Sequence, residues 1–252
     1  MASGGSPANA VASRPIPADL CAFCLDRQDR MLYLCHKRVV IRRCVILLFI
    51  GICGASGSGK STLADSLARK LGERCYVLQQ DAYYLDHPDL TFEERSVLNY
   101  DEPSIFDHDL LLHDVQALLG GKPITRKAYD YAQHRRADTE DVILPPDVLI
   151  LEGIHCFHDP RLCRLMYLKL YMNVEPDICL LRRIQRDIKD RGREIDGISM
   201  QYLATVKPMY DKYIRNYVNE ADVIVARGGK NARIVDILAG YVQDELNKRA
   251  QA

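Results

Sequence analysis

The chain has no net charge: 34 Lys and Arg balance 34 Asp and Glu over 252 residues. Without a basic excess there is no electrostatic footprint for nucleic acid, and none is expected as a partner. It also lacks an apolar run long enough to cross a bilayer. The longest, Cys44 to Cys53, falls well short of a span and reads as a core strand. No stretch is bounded like a secretory signal, so neither export nor membrane attachment is expected. The guanine-reading N-K-x-D motif is missing, which argues against a GTPase, and no internal repeat is visible. The composition is otherwise that of a soluble globule, 48% hydrophobic and 27% charged, long enough for one large α/β domain plus an extension. Nine cysteines are scattered, Cys53 and Cys179 among them inside apolar segments. They read as reduced thiols rather than a disulfide framework, which points to a reducing, cytoplasmic setting.

What is present begins with Gly54-Ala55-Ser56-Gly57-Ser58-Gly59-Lys60-Ser61, a match to G-x-x-x-x-G-K-[ST] at every fixed position. Val45-Ile46-Leu47-Leu48-Phe49-Ile50 before it predicts a buried strand, and Leu63, Leu67 and Leu71 after it recur at a helical period. In that context the glycines let backbone N–H groups of residues 54 to 62, Thr62 included, close around phosphate. Lys60 would reach the β- and γ-phosphates and assist catalysis, and the Ser61 hydroxyl would take a Mg²⁺ coordination position.

Residues 1–43 differ from the rest. The first 18 are rich in Ala, Ser, Gly and Pro and are expected to be disordered. The whole extension is expected to be disordered or an artefact of the gene model, with the catalytic domain spanning 44–252. Cys21, Cys24, Cys35 and His36 invite a zinc reading, but zinc modules space their second ligand pair, and Cys35-His36 are adjacent. Unstructured or locally packed cysteines are the competing reading. No Glu precedes Glu73, and seven Arg and Lys residues make residues 14–43 mildly basic, as in a transit peptide. Asp19, Asp26 and Asp29 argue against that.

Beyond the first helix, α/β alternation continues. Strands are predicted at Tyr76–Leu78, Val148–Leu151, Leu168–Met172 and Val223–Val225. Helices are predicted over Leu110–Leu119, Ile178–Arg191, Ser199–Tyr217 with a kink near Pro208, and Ala232–Asn247. Ile124–Tyr131 and Asp141–Leu144 look extended, a hairpin inserted between core elements. Continuous apolar strands between amphipathic helices imply a three-layer α/β fold, with a parallel sheet covered on both faces.

Two acids stand where apolar strands end. Glu152 follows Val148-Leu149-Ile150-Leu151, the Walker-B position that delivers a carboxylate to Mg²⁺. Asp81 follows Tyr76-Val77-Leu78-Gln79-Gln80 and could accept the proton of an attacking hydroxyl. Position alone leaves open whether either acid merely caps the next helix. Arg182, Arg183, Arg186, Lys189, Arg191 and Arg193 crowd together, offset only by Asp187 and Asp190. Such a cluster can clamp a transferring phosphoryl group, and Gly192 would let it act as a mobile lid. A basic surface helix is the plainer alternative.

Several blocks then carry a resemblance: the phosphate loop, Gln80-Asp81-Ala82-Tyr83-Tyr84, Asn99-Tyr100-Asp101-Glu102-Pro103, Tyr129-Asp130-Tyr131-Ala132-Gln133-His134, Leu151-Glu152-Gly153-Ile154, the segments around Arg182–Ile188 and Arg191–Arg193, and Ala226-Arg227-Gly228-Gly229-Lys230-Asn231. From Val45 onward, roughly four fifths of the chain resembles the uridine kinase (uridine–cytidine kinase) family. Residues 1–43 find no counterpart in it. The resemblance implies ATP- or GTP-dependent phosphorylation of uridine and cytidine at the 5′-hydroxyl, a step of pyrimidine salvage, by a homotetramer.

It also implies residue roles. Asp81 is the general base, and Ser61 and Glu152 coordinate Mg²⁺ with Asp81 close by. Asp101 binds ribose hydroxyls with Arg183 and Arg193. Tyr129, Tyr131 and His134 hold the pyrimidine, with Gln201 near it. Arg186 and Arg191 are lid arginines on the ATP phosphates. Two departures stand out: Arg126-Lys127-Ala128 replaces a more apolar Pro-Val, and Tyr131 stands where Phe also occurs. A phosphoribulokinase-like or pantothenate-kinase-like enzyme, or a non-catalytic nucleotide-binding protein, remain the alternatives.

Overall fold

The computed structural model describes residues 47–131 and 133–251, together with the backbone alone of three earlier strands. The chain divides into two units, Met1–Cys44 and Val45–Ala252. In the first, β1 (Cys24–Leu25), β2 (Arg30–Cys35) and β3 (Arg38–Arg43) pair antiparallel in that order. Paired strands thus stand in an extension expected to lack structure. Tyr33, Val39, Val40 and Ile41 supply the β-branched and aromatic residues that favour them. Residues 1–18, Cys21 and His36 of the zinc candidate, and Val45 and Ile46 of the expected first core strand lie outside the described residues.

The second unit opens on β4 (Leu48–Gly54), buried at every position, and α1 (Lys60–Leu71). Next come β5 (Cys75–Gln79), a 3₁₀ turn over Gln80–Tyr83, the short α2 (Phe92–Ser96) and α3 (His108–Leu119). The hairpin of β6 (Ile124–Asp130) and β7 (Arg135–Ile143) precedes β8 (Val148–Gly153), α4 (Pro160–Cys163) and β9 (Leu168–Asn173). The chain ends through α5 (Pro176–Arg191), α6 (Ile195–Gln201), α7 (Lys207–Lys212), β10 (Val223–Ala226) and α8 (Ala232–Gln251).

Five strands form one parallel sheet in the order β10-β9-β4-β8-β5. Side chains alternate across it. Leu48, Ile50 and Ile52 pack with Leu63 and Leu67 of α1 and with Leu238 and Val242 of α8. Phe49 and Cys53 belong to the opposite core, with Leu111, Val115 and Leu118 of α3. Both faces are therefore covered, as the apolar strands require. Because β8 lies between β4 and β5, the phosphate loop, Glu152 and Asp81 emerge at three adjacent carboxyl ends. That is the ligand crevice of an open α/β sheet.

Two elements differ from expectation. β7 starts at Arg135, not Asp141, because Arg135–Glu140 is polar and carries no alternation to betray a strand. Its pairing with β6 slips between Lys127 and Tyr129, beside the unusual Arg126-Lys127-Ala128. The helix expected over Ser199–Tyr217 is instead α6, a π-helical segment Tyr202–Val206, α7 and a 3₁₀ stretch Ile214–Glu220. Pro208 has no N–H to offer a preceding carbonyl, and the helix widens just before it. Among the described residues no helix is long and apolar enough to cross a membrane, and Cys53, Cys75, Cys156, Cys163 and Cys179 are free thiols.

Candidate active site

The turn from β4 to α1 is built by glycine. Gly57 and Gly59 have φ of 81° and 94°, and a Cβ on Gly57 would stand 2.2 Å from the Cys179 carbonyl oxygen. Only glycine fits there. Lys60 is buried, and its Nζ donates to the Ala55 carbonyl at 3.0 Å, arching over its own loop. Loop N–H groups, the positive end of α1 and one ammonium thus converge on a single anion-binding point.

At the next strand end, Ser61 Oγ donates to Glu152 Oε1 at 2.9 Å. Burial raises the pKa of Glu152; the Lys60 charge opposes the rise and the Asp81 carboxylate adds to it. Asp81, in the turn after β5, accepts a hydrogen bond from the Tyr131 hydroxyl at 2.8 Å. One hydroxyl and two mutually repelling carboxylates form an all-oxygen donor set suited to a hard divalent cation that also binds substrate phosphates.

A cavity of about 240 Å³ opens from this point, and it gathers every acceptor-side residue expected from the sequence. Tyr129, Tyr131 and His134 of the hairpin line it, with Asp101, Arg183, Arg193 and Gln201. Tyr84 and Tyr100 complete the aromatic wall: Tyr129 lies 4.9 Å from Tyr84, and His134 lies 5.1 Å from Tyr100, between ring centroids. Burial lowers the pKa of His134, and Arg193, Arg95 and Arg191 lower it further, which favours the neutral imidazole. A neutral imidazole offers one donor and one acceptor to a planar ligand.

Asp101 is buried, which raises its pKa, while Arg183 and the Thr205 hydroxyl at 3.3 Å hold the rise back. Arg183 is also buried, donating to Ser56 Oγ at 3.0 Å and to Gln201 Oε1 at 2.9 Å. Arg193 donates to the same Gln201 oxygen at 2.9 Å. Gln201, expected beside the base, therefore places its oxygen between two guanidinium groups while lining the cavity.

The arginine cluster is organised by Asp187, which is 0% exposed. Its carboxylate lies 2.8 Å from Arg186, 3.5 Å from Arg191, 3.6 Å from Arg183 and 4.0 Å from Arg193. Arg191 also stacks 4.7 Å over the Tyr131 ring, tying this helix to the hairpin. Sequence reasoning treated Asp187 as a mere offset, although Arg183, Asp187 and Arg191 share one helical face at i, i+4 spacing.

A second cavity, about 640 Å³, also borders the phosphate loop. Gly57, Gly59 and Thr62 line it with Arg182, Lys189, Arg227 and Lys230. Lys60, Ser61 and Arg186 line both cavities. Two ligand spaces meeting at one anion point make a geometry for group transfer.

The sequence model of the Phosphoribulokinase / Uridine kinase family matches residues 49–233. The chain belongs to this family. A uridine kinase of Limosilactobacillus reuteri (strain DSM 20016) is 44% identical over 201 residues, covering 79% of this chain and 92% of that protein. A uridine kinase of Lactiplantibacillus plantarum is 42% identical over 212 residues, covering 84% and 98%. The phosphoribulokinase of Rhodobacter spheroides shares the fold, with a TM-score of 0.55 at 16% identity over 72% of this chain and 70% of that one. Sequence reasoning left Tyr84, Tyr100 and the Arg227–Lys230 turn without roles. Tyr84 and Tyr100 stand close to Asp81 and Asp101 in blocks already quoted, where an aromatic beside each acid was the available signal; the Arg227–Lys230 block held no assigned residue.

Proposed function

We infer that this kinase transfers the terminal phosphoryl group of a nucleoside triphosphate to the 5′-hydroxyl of uridine and cytidine, in pyrimidine salvage. One observation carries the reading: Asp81 and Glu152 stand where the phosphate loop opens into an aromatic-walled cavity that holds His134 and a buried Asp101. A planar base suits the Tyr84, Tyr100, Tyr129 and His134 wall by stacking and edge contacts. A vicinal diol suits Asp101 with Arg183 and Arg193. Tyr131 lines the same cavity and donates to Asp81. A sugar phosphate or pantothenate would leave that aromatic surface unused, which disfavours the phosphoribulokinase-like and pantothenate-kinase-like alternatives.

Asp81 then accepts the 5′-hydroxyl proton as the oxygen attacks the terminal phosphorus in line, and the bond from that phosphorus to the bridging oxygen breaks to release the nucleoside diphosphate. Residues 54 to 62 cradle the phosphates, and Lys60, Arg186 and Arg191 offset the charge spreading over the transferring group. Mg²⁺, held by Ser61 and Glu152 with Asp81 beside them, would neutralise phosphate charge. ATP or GTP is the proposed donor, a homotetramer the proposed assembly, and the cytoplasm the proposed location, in keeping with the free thiols. Product formation from a panel of uridine, cytidine, adenosine, guanosine, ribulose 5-phosphate and pantothenate, with ATP and Mg²⁺, tests the assignment. Uridine and cytidine are expected to turn over; turnover of another member without them would overturn it.

Residues 1–43 are proposed to lie outside the chemistry, because every assigned residue belongs to the unit that starts at Val45. Their removal is expected to leave kcat/KM for uridine within a few-fold. Loss of activity on truncation, or stoichiometric zinc on the full-length protein, would make Cys21, Cys24, Cys35 and His36 structural.

A further inference from the structure

His155, three residues past Glu152, is 0% exposed and has no part in the chemistry just assigned. Three of its polar groups reach three different elements. Its backbone N–H donates to Gln80 Oε1 at 2.9 Å, its Nε2 lies 2.7 Å from the Asp101 carbonyl oxygen, and its Nδ1 lies 2.9 Å from the Tyr217 hydroxyl. The first contact exists because residue 153 is glycine: a Cβ there would stand 2.2 Å from Gln80 Oε1.

The donors can be assigned. A carbonyl only accepts, so Nε2 carries the proton, Nδ1 is the acceptor and the Tyr217 hydroxyl donates to it. Tyr217 has then used its one proton, so His158 Nδ1, 3.1 Å away, donates to the Tyr217 oxygen. The chain runs one way from His158 through Tyr217 and His155 to Asp101, with every member satisfied. Such networks rigidify what they touch. Burial pushes the His155 pKa down to about 3, so the required neutral form persists across the working range.

Asp101 needs such support. It lies outside every strand; its N–H is taken by Asn99 Oδ1 at 3.1 Å and its carbonyl by His155. We propose that His155 is a positioning residue for the nucleoside side of the reaction, its imidazole fixing the Asp101 loop. The proposal rests on the role given above to Asp101.

The test uses the full-length protein with His155→Leu, which removes the imidazole hydrogen bonds but keeps apolar bulk, and His155→Gln, which restores an N–H at similar reach. Leaving a buried carbonyl unpaired should raise KM for uridine by about tenfold in the Leu variant. KM for ATP should stay within about twofold, and Gln should recover most of the loss. Equal losses in Leu and Gln, or a parallel rise in both KM values, would overturn the proposal. If the Leu variant does not fold, Tyr217→Phe decides: it should raise uridine KM by about threefold with ATP KM unchanged, and an unchanged uridine KM would refute the role. Wild-type protein that does not phosphorylate uridine would instead sink the nucleoside reading itself, and this inference with it.

Discussion

Asp81→Asn is expected to lower kcat by about 10²–10⁴-fold while KM for uridine and for ATP moves little. An amide keeps the size and shape of the carboxylate but cannot take a proton at neutral pH. The loss should therefore appear in the transition state and not in binding. Geometry supports the choice of residue. Asp81 already accepts a hydroxyl proton donor, Tyr131, at 2.8 Å, so an alcohol can approach its Oδ2. Steady-state kinetics of the purified variant, with uridine and ATP varied separately, checks this. Turnover close to wild type would remove Asp81 from the role of base, and a large rise in uridine KM at constant kcat would make it a binding residue.

The parts of this enzyme that were legible in sequence are those where one local pattern meets one physical demand. Gly54 to Ser61 could be placed because positive φ and close approach admit only glycine at positions such as Gly57. The strands were visible because a parallel sheet covered on both faces needs unbroken apolar runs. Strand order was not legible, since β8 enters between β4 and β5 only after the hairpin has intervened. Asp81 and Glu152 could each be suspected of chemistry from the strands they end, but their adjacency followed only from the family resemblance and not from the residues themselves. β7 was mostly missed because its Arg135–Glu140 half is polar. Networks were hidden for a related reason: His155, Tyr217 and Asp101 are far apart in sequence and meet only through the fold. Asp187 is the exception, because its helical spacing to Arg183 and Arg191 was there to be counted.

The ribose-diol role proposed for Asp101 sets the largest expected discrimination. A 2′,3′-dideoxy analogue of uridine is expected to lose up to ~10⁴–10⁵ in kcat/KM relative to uridine. The reason lies in the burial of Asp101 and Arg183. Burial alone already raises the pKa of Asp101, so its carboxylate is short of solvation before any ligand arrives. A diol supplies two donors to that carboxylate; a ligand without them seals it from water with only the Thr205 hydroxyl and the more distant Arg183 as partners. Thymidine, which keeps one of the two hydroxyls, should turn over poorly. Adenosine and guanosine should hardly react, because a purine must displace Tyr129 or His134 from the wall. His134→Ala separates the two sources of selectivity: it should blur the choice between bases without affecting ATP use or the demand for the diol. Competition assays with equal concentrations of each nucleoside measure these ratios directly. Equal kcat/KM for uridine and its dideoxy analogue would mean that Asp101 faces something other than the sugar, and the site would have to be rebuilt around the phosphate loop alone.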